Sequence, residues 1–397
     1  MNVTSRTGGT VASVVVIWFV FAVTQSALDV TIVGVAQAVS TVAITLPSGV
    51  WVDRYNRRKL LLSSNAVRVA CLALLALLTA TTGFMLLPIV AIVFVHAAAT
   101  ELYRSTDHSV LPDLVNPEGV TNANGLTVAG YNLTGSASSA LGGALIVVVG
   151  ITSAFIYGAV SYALATIFSG FLFYRLRTPS IQKLETRNRS RMMAAEIKEG
   201  YNWLVTQRGL FLLSVSAVAF NFLFGMTSYF MVIYVSIALK AGAFLFGVIL
   251  AVFVVGIALG SIIGGQTNAV AYAGKVWVLS NVGLGLLTLL LGAVPQVFVA
   301  LAANFAVGLI IGFSNNVWLT SAQNLVPSPM RGRYFAIDGL LSFIGGPPSI
   351  AVGGILISAI GVLPVYELAG IIMVIFSAIF YLMRSLWRLD GRLKPKP

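Results

Sequence analysis

One cysteine, two histidines and twelve acidic residues are all that a chain of 397 residues offers to several kinds of chemistry. Cys71 has no partner, which excludes an intramolecular disulfide and any paired-cysteine metal site. His96 and His108 lack the cysteine and carboxylate company of a metal centre, so no metal is expected. No Gly-rich loop ending in Lys and Ser or Thr is present to cradle the phosphates of ATP. No nucleophile stands at helical spacing from a base, so neither an enzyme nor a cofactor is expected. Charge is also scarce: charged residues are 9% of the chain, hydrophobic residues are 58%, and mean hydropathy is +0.94. A water-soluble domain cannot cover that much apolar surface.

What is present is a succession of apolar runs of about 20 residues, each long enough to cross a hydrocarbon core roughly 30 Å thick as an α-helix. They fall near 10–25, 29–52, 60–82, 86–108, 124–148 and 151–174, then near 210–235, 241–264, 275–293, 296–320, 334–358 and 362–385. Alternation at period two is missing; residues 60–78 are apolar on nearly every side, which excludes barrel strands. The fold class expected is all-α integral membrane, with twelve helices in two six-helix halves. The first half covers residues 1–174, a cytoplasmic linker 175–209, and the second half with a basic tail 210–397. Met193, Ile197, Tyr201 and Leu204 lie on one helical face of the linker, as an interfacial helix would have them.

Basic residues set the orientation, because short loops rich in Lys and Arg stay cytoplasmic. Arg54, Arg57, Arg58, Lys59, Arg104, the linker arginines, Lys275, Arg331, Arg333 and the tail from Arg384 onward fall on one side, and Lys240 on the other. Both termini are therefore expected in the cytoplasm of a cell in whose plasma membrane the chain sits. This distribution accounts for the net charge of +12 without nucleic acid, and the lipid bilayer is the expected partner of the basic face. A repeat supports the two halves. Asp113-Leu114-Val115 recurs as Asn324-Leu325-Val326, and Leu141-Gly142-Gly143 as Val352-Gly353-Gly354, both 211 residues on.

Gly49, Asp53, Arg54, Asn56, Arg57, Arg58 and Lys59, placed after the second span of twelve, resemble the loop signature of the major facilitator superfamily. Asn56 stands where the superfamily usually has Gly; Asn tolerates the left-handed conformation a tight turn needs. The stretches 111–115, 121–126 and 323–327, with Arg331-Gly332-Arg333-Tyr334-Phe335, resemble the drug-efflux and enterobactin-type exporter branch. The resemblance covers almost the whole chain. It implies a monomeric secondary transporter that exports small amphipathic molecules by alternating access, with protons as the coupling ion. Two departures stand against that pattern. Ser138 and Ser139 occupy positions where antiporters carry Gly-Pro, which leaves open a facilitator, a nutrient importer or a non-transporting sensor. Ser26-Ala27-Leu28 matches the loop into the second span, which implies a shortened first helix.

On this resemblance Gly49, Asp53, Arg54, Arg57, Arg58, Arg104 and Asp107 form an inner gate, with Asp53 facing the N-terminus of span 11. Span 4 carries Glu101, Arg104 and His108 at helical spacing, and a carboxylate inside the hydrocarbon must face a partner or water. Glu101 is thus the first candidate for proton coupling and His96 the second. Arg68 could snorkel to the cytoplasm or lean inward. Substrate contacts are expected from Asn221, Phe224, Met226 and Tyr229 in span 7 and from Asn304, Asn315, Asn316 and Trp318 in span 10, aromatic and amide surfaces suited to amphipathic cargo.

Overall fold

A computed structural model describes residues 3–81, 83–114, 120–172, 199–387 and 389–392. Among them the secondary structure is helical throughout: α1 Val3–Thr24, α2 Ala27–Arg54, α3 Arg57–Thr81, α4 Leu86–Leu114 and α5 Val120–Leu172, then α6 (199–206) and α7 Arg208–Ser228. The chain continues with α8 Met231–Ile233, a π turn Tyr234–Ala238, α9 Ala243–Gln266, a 3-10 turn Asn268–Tyr272, α10 Ala273–Ala293 and α11 Val297–Leu325. It ends with α12 Ser328–Ile344, α13 Gly346–Ile360, α14 Val362–Leu382 and α15 Arg384–Trp387.

Among the described residues, ten helices are long and apolar enough to cross a membrane. The expected twelve spans are reached because α5 contains two of them, broken at Gly150, and because α12 and α13 together make span 11. Gly150 has φ 82° and ψ 170°, a region nearly closed to residues with a Cβ, so the helix reverses there. Gly361, 211 residues later, has φ 87° and ψ 168° and separates α13 from α14. The offset seen in the sequence repeat thus recurs in backbone geometry. Span 11 breaks at Gly345, and Pro347 and Pro348 follow at the start of α13, where missing N–H groups cost nothing. Large apolar side chains such as Leu87, Val148, Phe298 and Leu382 are exposed, as lipid-facing residues of a multi-pass membrane protein are.

The first helix differs from its expected span 10–25. It starts at Val3 and has 22 residues, about 33 Å at 1.5 Å per residue. Hydropathy misses its first turns because Ser5, Thr7, Gly8 and Gly9 are polar or small, yet Ser5 and Gly8 are buried against neighbouring helices rather than in water.

The chain forms two compact units. One comprises residues 1–183 with 231–251, the other 184–230 with 252–397. In the first, α1 and α3 pack along α5 and α2 along α4, around Val11, Val15, Leu72, Leu75, Phe155 and Tyr162. The start of α9 belongs here: Gly143 of α5 meets the backbone of Ala243 and Gly247, and Ser136 Oγ donates to the Ala251 carbonyl at 2.7 Å. In the second unit, α10 packs on α14 and α11, and α7 on α13 and α14. The short helix α6 docks on α12, with Leu204 in a cluster of Leu210, Ala322, Val326, Tyr334 and Ile337, and Arg333 Nη1 bonded to Glu199 Oε1 at 2.7 Å. Of the expected linker face, Leu204 is buried and Tyr201 exposed, while Met193 and Ile197 lie outside the described residues. The basic tail folds back: the Leu389 carbonyl accepts from Gly274 N at 3.1 Å, and Asn324 Nδ2 donates to the Gly391 carbonyl at 3.0 Å.

Candidate functional site

The charged loop after α2 is built by two helix ends meeting at Tyr55 and Asn56. Tyr55 N–H donates to the Trp51 carbonyl at 2.8 Å and closes α2. Asn56 Oδ1 accepts from Lys59 N–H at 3.3 Å, so the residue replacing the usual Gly caps α3. It does so without a positive φ, which corrects the left-handed turn expected of it. Gly49 and Arg54 are exposed in α2. Arg57 Nη1 reaches the Ser109 carbonyl of α4 at 3.1 Å, two residues beyond buried Asp107, and Arg58 Nη2 reaches the Gly170 carbonyl of α5 at 3.3 Å. The cluster therefore ties the start of α3 to the same ends of α4 and α5. The side chains of Asp53 and His108 lie outside the described residues.

Glu101 sits deeper in α4 and is 5% exposed. Arg104, one turn on, grips it with Nε to Oε2 at 2.9 Å and Nη2 to Oε1 at 2.7 Å, while Thr45 Oγ1 of α2 donates to Oε1 at 3.2 Å. A bidentate guanidinium pair with an added hydroxyl is what keeps a carboxylate tolerable at this depth. Arg104 itself is about half exposed, at 47% of its side chain, so the pair has one buried and one open end. His96 lies further along α4, its Nε2 at 3.3 Å from the Tyr162 hydroxyl, and it makes no contact with an acidic group among the described residues.

Arg68 is free, on sequence alone, to snorkel or to lean inward. It points inward. Its side chain is 3% exposed, with the guanidinium over the ring of Tyr162 at 3.7 Å and that of Tyr103 at 4.7 Å. Arg68, Tyr162 and His96 thus form one contiguous group between α3, α4 and α5. Only its composition, a lone Arg two turns into an apolar span, signals it in the sequence; the tyrosines that receive it are far away along the chain.

The candidates for cargo contact are placed differently. In α7, Asn221 is exposed, Phe224 stacks on Phe253 with centroids 6.3 Å apart, Met226 is buried, and Tyr229 meets Phe230 edge-on at 5.5 Å. In α11, Asn304 is buried and donates to the Ala300 carbonyl of its own helix at 2.8 Å. Asn315 is exposed and Asn316 half-buried beside Gly264. Trp318 packs edge-on against Phe335 at 6.1 Å, at the margin of the Tyr334 cluster. Phe224 and Asn221 keep open faces, whereas Asn304 and Trp318 are engaged in packing. Among the described residues, no group of three His, Cys, Asp or Glu side chains is placed to hold a metal.

Residues 1–386 match the sequence profile of the transmembrane secretion effectors, a major facilitator group. The chain belongs to that family. No curated protein matches this chain in sequence. Solved structures do match it in fold. A bacterial homologue of the iron transporter ferroportin, inward-facing, superposes with a TM-score of 0.73 at 14% identity, covering 96% of each chain. A bacterial homologue of the human lysosomal transporter Spinster, inward-facing and unoccupied, gives 0.72 at 14% identity over 99% of this chain and 98% of that one. A POT family transporter in complex with a thioalcohol-conjugated peptide gives 0.70 at 14% identity over 97% and 94%. At that identity the likeness is one of fold. Family and fold together support a membrane transporter.

Proposed function

We propose that this transporter exports small amphipathic molecules across the plasma membrane by proton antiport, acting as a monomer with both termini in the cytoplasm. The observation that carries the coupling is Glu101. A buried carboxylate on a membrane-spanning helix, held by an arginine whose side chain is about half exposed, can trade that partner for a proton as the helices move. Outward direction is supported by the family's description as secretion effectors and by the resemblance to the efflux branch. The contacts of Arg57 and Arg58 with the ends of α4 and α5 support a gate at that face, with Gly49, Asp53, Arg54, Arg104 and Asp107 as its other members.

A second reading is favoured by one feature. Ser138 and Ser139 continue α5 as regular helix where antiporters have Gly-Pro, and Ser139 Oγ bonds the Gly135 carbonyl at 2.9 Å, which suits a facilitator indifferent to the proton gradient. One experiment separates the two. Sealed vesicles holding the purified transporter are given a pH gradient, and the movement of ethidium and of carboxyfluorescein is followed for wild type and Glu101→Gln. Export predicts gradient-driven movement of at least one dye, lost in Glu101→Gln. Movement that ignores the gradient establishes the facilitator.

A further inference from the structure

Arg68 is a buried cation whose hydrogen bonds go only to neutral groups. Both leave from Nη1, one to Asn65 Oδ1 at 2.8 Å and one to Ser5 Oγ at 3.0 Å. Nε is buried and has no hydrogen-bond partner among the described residues, and the same holds for Nδ2 of Asn65, one turn earlier on α3. Asn65 itself is fully buried. Glu101, the buried carboxylate of α4 in the same compact unit, already has both oxygens engaged by Arg104 and Thr45. A guanidinium at this depth without a carboxylate is costly, and leaving a charged N–H without an acceptor adds to that cost.

The unused donors share a geometry. With Nη1 committed to Asn65 and Ser5, the free edge of Arg68 is the one formed by Nε and Nη2, the edge that takes the two oxygens of a carboxylate in parallel. Asn65 Nδ2 adds a further donor from the same face of α3. Gly9 lets the backbone of α1 pack directly against that edge: a Cβ there would lie 3.5 Å from Nη2 and 2.8 Å from the Tyr162 hydroxyl, so a larger residue must displace the ring that orients the guanidinium. The surroundings are aromatic, with Tyr103, Tyr162 and His96.

We infer that Arg68 and Asn65 form a binding site for the carboxylate of an aromatic or amphipathic acid, and that this group belongs to the transported molecule. The second half of the inference rests on the export reading above; the first stands on the geometry alone. The cation–π stacking fixes the guanidinium plane in advance, so little side-chain freedom remains to be lost when the anion arrives. Cargo without a carboxylate would leave the same donors unpaired and should be held less tightly.

The test uses the full-length protein in lipid nanodiscs and three ring compounds alike in size: benzoate, uncharged benzamide and cationic benzylamine. Calorimetric titration of wild type should show benzoate bound roughly tenfold or more tightly than benzamide, as the loss of a charge-assisted hydrogen bond implies, and benzylamine weakest. Arg68→Gln should erase the preference, Arg68→Lys should retain part of it, and Gly9→Ala should weaken benzoate while every charge stays in place. Size-exclusion profiles show which variants fold, and Gly9→Ala with Arg68→Lys carries the test if Arg68→Gln does not. Equal affinity for benzoate and benzamide in wild type, absence of benzoate binding at millimolar concentration, or a preference that survives both Arg68→Gln and Gly9→Ala would overturn the site. Its failure is separable from that of export: gradient-driven dye movement without a benzoate preference removes the site alone, and a benzoate preference without gradient-driven movement removes proton-driven export alone.

Discussion

Gly143 has no room for even a methyl group, because the backbone carbonyl of Ala243 and the Gly247 Cα stand where it would go. Substituting Ala must move a backbone, and overpacking of this kind costs about 1–3 kcal/mol. Gly143→Ala should therefore lower the thermal midpoint of the purified protein in a fluorescence melt; an unchanged midpoint would show that α5 and α9 do not meet so closely. Breaking Arg104 from Glu101 is a different kind of change. Arg104→Ala leaves a buried carboxylate with the Thr45 hydroxyl as its remaining hydrogen-bond partner among the described residues, which is destabilising, though by less than the roughly 3–5 kcal/mol of a fully buried pair because Arg104 is half exposed. Removing the charge as well, in Arg104→Ala with Glu101→Gln, should recover part of the lost thermal midpoint in the same melt. Single residues were the least legible scale. Glu101 and Arg104 could be paired from their spacing on one helix, but Thr45, Tyr103 and Tyr162 reach their partners only through tertiary packing, which periodicity does not encode.

Helices were far more legible, because lipid forces each apolar run to satisfy its own backbone. The errors fell where polarity faces inward: α1 starts seven residues before its hydropathy does, since Ser5 and Gly8 are covered by protein. Gly150 and Gly361 were visible only as punctuation, yet each sets the reversal between two spans. Both occupy a backbone region essentially reserved for glycine, where another residue costs of order 1–3 kcal/mol. Gly150→Ala and Gly361→Ala should each reduce the yield of folded protein in a size-exclusion assay, by comparable amounts since their geometries agree. If one variant behaves as wild type and the other fails, the two turns are not equivalent elements of a repeat.

At the scale of the whole molecule, the two-fold pattern read from 211-residue offsets is carried by matching turns, while compactness divides the chain elsewhere. Residues 231–251, which follow the linker, cluster with residues 1–183. Co-expressed fragments cut in the linker, 1–183 and 184–397, should then co-purify through a tag on either one, held by contacts such as Ser136 to Ala251 and Gly143 to Gly247. Fragments that separate cleanly would contradict that packing.

The same division has a consequence in time. A ribosome that has delivered the first five helices has not yet supplied everything their compact unit contains. The missing piece emerges only after residues 184–230, which at about 5–20 residues per second is a delay of a few seconds. During that interval the glycine face of α5 at Gly143 stands uncovered in the bilayer, open to lipid or to an insertion chaperone.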